Sequence, residues 1–299
     1  MAQFKEQRLW QACTDGHLEI VKEIAGDPSV DFNWVEEDRL DTPLHRACRF
    51  GWLEIGKVLL AQEKIEVNKG NKGGASPFCI ACQEGHKEVV SLLLADPRTD
   101  PSTAKKEGIT PFYIACCNGH KEVVSLLLAN PSIDPNKPKN DGATPFFIAS
   151  QKGHKEVISM LLSDSRIDPN KPEKTGATAF FMACRNGYKE VVSLLLADPR
   201  IDPNTAKKEG VTPFFIACQN GHKEVVSLLL ADSRIDIALQ THSGETAFEV
   251  VFRNGHIDIA RSILKIREFF HHPSFCIFLI ILPSISRGRE ARNFNQRRL

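Results

Sequence analysis

The segment 212–230, TPFFIACQNGHKEVVSLLL, recurs along the chain in a single register. Its copies begin at Gln7, Thr42, Ser76, Thr110, Thr144, Thr178, Thr212 and Thr246, with a first step of 35 residues and later steps of 34. A fixed period of this size marks a stacked repeat architecture, and it constrains the fold more than composition does. Each copy reads as two short helices. Thr212 starts the first, because its hydroxyl can accept from the free N–H groups of the first turn, and Pro213 suits the first helical position because it has no N–H. Phe214, Ile216 and Ala217 form an apolar stripe. Gly221 ends this helix of about two turns by entering the left-handed region. His222-Lys223-Glu224 opens the second helix. Its Val225, Val226, Leu228, Leu229 and Leu230 cover much of the circumference, as expected for a helix packed on more than one side. Asp232 and the turn after it stop the helix, and four other copies carry proline there (Pro28, Pro97, Pro131 and Pro199), which cannot continue a helix. A linking stretch then runs through Ile-Asp-Pro-Asn to a polar tip. Glycine stands two residues before the threonine in six of the eight copies, as at Gly108 and Gly210. One helix pair cannot bury its apolar face, so the copies are stable only as an array.

The pattern G-x-T-P-[LF]-x-x-A-x-x-x-G-H-x-x-V-V-x-x-L-L resembles the ankyrin repeat, and Thr42-Pro43-Leu44-His45 carries that family's tetrapeptide unchanged. The resemblance spans about residues 8–267. It implies an all-α, ankyrin-type α-solenoid of about eight helix–turn–helix repeats with β-hairpin fingers, occupying residues 1–267. It also implies a non-catalytic scaffold or adaptor that binds one or more proteins on a concave face built from the fingers and first helices. The tetrapeptide histidine, which in the family ties neighbouring repeats by hydrogen bonds, survives only at His45. Cys79, Tyr113, Phe147, Phe181, Phe215 and Glu249 take its place, and the three phenylalanines could stack as an aromatic ladder instead. Leu40 stands where the fingertip glycine belongs, so that finger is expected to be irregular.

In this family, contacts are commonly made by finger residues and by residues ending the first helix. Carried over by register, the finger candidates are Arg39, Lys72, Lys106, Glu107, Asn140, Asp141, Lys174, Lys208 and Glu209. The helix-end candidates are Arg49, Phe50, Gln83, Asn118, Gln151, Lys152, Arg185, Asn186, Gln219 and Asn220. Taken singly, each also reads as a solvated loop residue. Phe50 and Trp52 are large aromatics in a polar loop region. They read either as interaction hot spots or as packing against the first repeat. The asparagines closing the Ile-Asp-Pro-Asn segment and its variants (Asn68, Asn136, Asn170 and Asn204) resemble residues that are hydroxylated in some family members, but their main reading is as hydrogen-bonding turn residues.

Other classes find little support. The net charge of +1 offers no case for nucleic acid as a ligand. Six of the nine cysteines (Cys13, Cys48, Cys82, Cys116, Cys184 and Cys218) sit at one repeat position, beside the alanine, and read as small apolar filler. Equivalent positions in stacked repeats lie roughly 10 Å apart, beyond the reach of a disulfide. Reduced thiols, and an N-terminus without a signal-peptide apolar run, suit a cytoplasmic protein. The recurrent Gly-His pairs supply one histidine per repeat, whereas zinc needs ligands converging on one point. No cofactor, metal or catalytic motif appears. The tail 268–299 breaks the period with an apolar run, 275–282, followed by an arginine-rich end. It reads as disordered or docked on the last repeat, as a membrane-surface anchor, or as an artefact of how the end of the chain was defined.

Overall fold

The computed structural model describes residues 2–265; the tail 268–299, with its anchor reading, lies outside the described residues. The described chain forms sixteen α-helices in eight consecutive pairs. The pairs are α1 (Ala2–Asp15) with α2 (Leu18–Ala25), α3 (Pro43–Phe50) with α4 (Leu53–Leu60), and α5 (Pro77–Glu84) with α6 (Lys87–Ala95). They continue with α7 (Pro111–Asn118) and α8 (Lys121–Leu128), α9 (Pro145–Lys152) and α10 (Lys155–Ser163), and α11 (Ala179–Asn186) and α12 (Lys189–Leu196). The last two pairs are α13 (Pro213–Gln219) with α14 (Lys223–Ala231) and α15 (Ala247–Arg253) with α16 (Ile257–Leu264). First helices pack on the first helices of adjacent repeats, and second helices on second helices, so the pairs stack in chain order.

The starts follow from the threonines. In each inner repeat the Thr or Ser hydroxyl accepts from the backbone N–H three residues on, as Thr110 does from Tyr113 at 3.0 Å. Such a cap contributes about 1 kcal/mol. In the second and eighth repeats the bond is reciprocated. Thr42 N–H donates to Nδ1 of His45 at 3.1 Å, and Thr246 N–H donates to a Glu249 carboxylate oxygen at 2.7 Å. The core repeats with the sequence. Phe78, Phe112, Phe146, Phe180 and Phe214 form a fully buried column, matched on the second helices by Leu59, Leu93, Leu127 and Leu161. Each such side chain contributes about 1.5–3 kcal/mol by burial. The cysteine column is buried and free of disulfides, and burial pushes its thiols well above their ordinary range. Ser150 occupies that position in the fifth repeat, where its hydroxyl is buried without a partner.

Three lines of hydrogen bonds join neighbouring repeats. At the fingertips, one backbone N–H per repeat donates to the finger before it: Lys72 to Arg39, Lys106 to Gly73, Asn140 to Glu107, Lys174 to Asp141, Lys208 to Thr175 and His242 to Glu209. At the loop between helices, the histidine of the Gly-His pair donates from Nε2 to a carbonyl one repeat back, as His154 does to Cys117 at 2.9 Å. At the turn after the second helix, asparagines reach forward. Asn170 donates to the Arg200 carbonyl at 2.6 Å and accepts from Asp202 N–H at 3.0 Å, and Asn33, Asn68, Asn136 and Asn204 repeat the pattern. Arginines of the Asp-Pro-Arg and Asp-Ser-Arg turns reach back, as Arg200 does to the Leu162 carbonyl at 2.7 Å while paired with Asp198. Hydrogen bonding to these arginines lowers the pKa of Asp96, Asp164, Asp198 and Asp232.

The fingers differ from the expected β-hairpins. Among the described residues no strand forms, and only isolated bridges at Lys105–Ile109 and Gln240–Thr246 appear. From residues 71–75 onward each finger is a tight turn closed by two cross-turn bonds, as where Lys139 N–H donates to the Ala143 carbonyl and Gly142 N–H to the Lys139 carbonyl, both at 2.9 Å. Pro138 and Pro172 precede two of these turns and cannot donate to a longer ladder. The second repeat departs further. Leu40 sits at φ 56°, in the region the other fingers give to glycine, and the Asp41 carbonyl accepts from the Trp10 indole at 2.9 Å.

Candidate protein-binding face

The face made by fingers and first-helix ends holds all the candidate residues, but the fold treats them differently. Arg49 is largely built in. It pairs with the fully buried Asp41 at 3.3 Å and with Glu84 at 3.4 Å, and Asp41 also takes Arg46 at 3.5 Å and the Asn71 amide at 2.8 Å. Arg46 lies 4.6 Å from the Trp10 ring and 5.0 Å from the Phe50 ring, which leaves Phe50 41% exposed. Trp52 packs on the first repeat. It fills the histidine position, its ring lies against Gly16, and its Nε1 donates to the Thr14 carbonyl at 3.4 Å.

The helix-end asparagines are also committed. Asn118, Asn186 and Asn220 donate to the carbonyls of Gln83, Gln151 and Arg185, each at 2.8 Å. The Gln83 and Arg185 carbonyls take a histidine as well, from His120 and His222, so both lone pairs are used. The Gln219 carbonyl does the same for Asn254 and His256. The Gln83 side chain bridges Lys105 and Glu84.

At the tips, Arg39, Lys72, Lys106, Asn140, Lys174, Lys208 and Glu209 are exposed. Lys72 donates to the Asp38 carbonyl at 3.1 Å, and Glu209 pairs with Lys207 at 2.8 Å. Glu107 is exposed at φ 65° and lies 3.7 Å from Lys139, while Asp141 holds Lys139 at 2.9 Å. Hydrogen bonding to Lys139 and to the Ala143 backbone outweighs the opposing effect of burial, the largest single influence on Asp141, and lowers its pKa.

Two adjoining depressions bring part of this set together. A groove of about 970 Å³ runs along the first-helix ends of the fourth to seventh repeats, with Gln151, Lys152, Arg185, Asn186 and Asn220 in its lining. A second of about 400 Å³ lies on its finger side and adds Asp141. A separate hollow of about 420 Å³ gathers Lys208, Glu209 and Gln219 near His242. Arg39, Arg49, Phe50, Lys72, Gln83, Lys106, Glu107, Asn118, Asn140 and Lys174 line none of these three. The floor was not anticipated: Tyr113, Ile114, Cys117, Ile148, Met182 and Tyr188, with Lys139 and Lys207 at its edges. Two signals in the sequence pointed to it. Cys117 lies one residue outside the cysteine column, and Ile114, Ile148 and Ile216 occupy a repeat position that the apolar stripe assigned to the core. Ile216 in fact lines the finger-side groove and is only half-buried. The helical phase points that position sideways between first helices, where Ile80, Ile148 and Met182 are buried while Ile114 and Ile216 are left half-buried.

Among the described residues no group of three His, Cys, Asp or Glu side chains is placed to hold a metal, and no helix is long and apolar enough to cross a membrane. No curated protein matches the chain significantly. The family model for ankyrin repeats matches residues 9–105, 97–173, 131–207 and 180–271, overlapping windows that span nearly the whole array. Members of that family generally mediate protein–protein interaction and are generally non-catalytic. With this match across the stacked helix pairs, the chain belongs to the ankyrin repeat family.

Proposed function

We propose that this chain is a non-catalytic scaffold that holds a partner protein on the face formed by its fingers and first helices. The observation that carries the reading is the groove of about 970 Å³ across four repeats, whose apolar floor is left open by the packing. The described second helices instead present the Lys and Glu of near-identical HKEVVSLLL segments to solvent. The surface is ordered before binding by the three lines of inter-repeat bonds, so little chain entropy is lost on association. A standard interface needs about 20–30 residues a side, which four or five repeats supply.

The test is affinity capture with the full chain followed by mass spectrometry. Charge reversal at Lys106, Lys174 and Lys208 should weaken capture of the recovered partners with helicity unchanged. Reversal at Lys87, Lys121 and Lys189 on the second helices should not. The opposite pattern would remove the finger face as the site.

A further inference from the structure

Building on that reading, we infer that the groove across the fourth to seventh repeats takes an extended acidic segment of a partner protein, with carboxylates flanking an aliphatic or aromatic side chain. The groove exposes an apolar strip in the half-buried Ile109, Ile114, Cys117 and Tyr188, while its charged lining is all of one sign: Lys139, Lys152 and Arg185, with no carboxylate. Lys139 is already answered by Asp141 and Glu107. Lys152 and the Arg185 guanidinium are exposed and make no ion pair or hydrogen bond among the described residues. The reason lies in the register. Lys152 occupies the position that Asn118, Asn186, Asn220 and Asn254 use to bind the preceding repeat, so its side chain has no such duty. The cations also converge. Burial raises the Cys117 thiol pKa, and Lys152, Lys105 and Lys139 all act on that sulfur in the opposite direction.

The acids nearby cannot complete the balance. Asp141 is held by Lys139, and Glu173 is turned onto the backbone of Thr175 and Ala177. The groove therefore presents unmet positive charge beside an apolar strip, and the complementary ligand carries carboxylates beside an apolar side chain. Its length follows from the stacking. Three inter-repeat steps at about 10 Å span about 30 Å, or about nine residues of extended chain. A nucleic acid is the poorer complement. Its backbone needs a continuous track of cations, whereas Glu84, Glu107, Glu173 and Glu209 interrupt this face repeat by repeat.

A random library of peptides about nine residues long, selected on the full chain, tests this. The expected binders are rich in Asp and Glu around an apolar residue. They should lose about tenfold in affinity with Lys152→Glu/Arg185→Glu and weaken with salt. They should be unchanged with Lys87→Glu/Lys189→Glu on the second helices. Neutral or basic binders that are blocked by Gln151→Trp would overturn the acidic class while leaving the inner-face reading standing. Binders indifferent to Gln151→Trp would overturn both. A selection that yields no groove-dependent binder, or peptides displaced by a single-stranded oligonucleotide, would overturn the inference. Circular dichroism of each variant separates lost binding from lost fold.

Discussion

The junction between the third and fourth repeats lacks the turn-side bonds found at its neighbours, and a single substitution should restore them. At five junctions an asparagine donates to a carbonyl 30 or 31 residues ahead and accepts from an N–H two residues beyond it. Ser102 holds that position in the third repeat and bonds only to Asp100, which it contacts through both its N–H and its hydroxyl. The local turn is the same, since Asn136, Asn170 and Asn204 N–H groups make the matching bond to the aspartate two residues earlier. Ser102→Asn should therefore reach the Ser132 carbonyl and the Asp134 N–H without moving the backbone. Two such bonds contribute about 0.5–1.5 kcal/mol each. Against this stand the ordering of the new side chain, up to about 1 kcal/mol, and the loss of the Ser102 hydroxyl bond. The exposed hydroxyl bond is worth no more than about 0.5 kcal/mol, so the net gain is about 0.5 kcal/mol, or about twofold in the local opening equilibrium. Native-state hydrogen exchange of the 96–101 and 130–135 turns reads this directly. Asn170→Ala removes the same pair of bonds from a complete junction and should speed exchange there by a similar factor. If Asn170→Ala has its effect and Ser102→Asn has none, the turn geometry of the two junctions is not equivalent and the reasoning fails. If neither has an effect, these bonds do not couple the repeats.

Other outcomes follow from single positions. Leu40→Gly should stabilise the chain by about 1 kcal/mol, because a left-handed conformation costs a branched side chain about that much and an exposed Leu40 gives up little burial; an unchanged urea midpoint would contradict it. Gly119→Ala and Gly153→Ala share the cost of a positive φ, but a Cβ at 119 would stand 2.6 Å from Nδ1 of His154 and displace its bond to Cys117. At 153 it meets Tyr188, which makes no such bond, so Gly119→Ala should cost about 1 kcal/mol more in urea unfolding. His45 should make the N-terminal repeats acid-sensitive. Burial first of all lowers its folded pKa, so its contribution is complete above the unfolded value near 6.5 and is lost as the pH falls below that towards the folded value. Urea midpoints at about pH 7.5 and about pH 5.5 should differ less in His45→Gln than in the parent chain.

Much of the architecture was legible in local pattern. Thr-Pro starts, left-handed glycines at the ends of first helices and the alternation of two apolar stripes specify backbone angles and helical phase, and these need only neighbouring residues. Their recurrence at one period then specifies the stack, because equal units that cannot bury themselves alone must bury one another. The site was less legible. Its residues are sorted by bonds that join positions 30–38 apart, and whether a helix-end side chain is free depends on which carbonyl the preceding repeat presents to it. Asn118, Asn186 and Asn220 look like Lys152 in the sequence, polar residues at the same helix end, yet three are tied by an amide and one points free into the groove. In the same way, Ile114 and Ile216 carry the core-like periodicity of the buried Ile148, but the spacing of adjacent first helices leaves these two half-exposed beside an open channel. The period of this chain, its caps and its helices were determined by sequence alone. The offset between neighbouring repeats, which only the tertiary structure supplies, decided which polar groups were consumed in holding the stack and which were left to meet a partner.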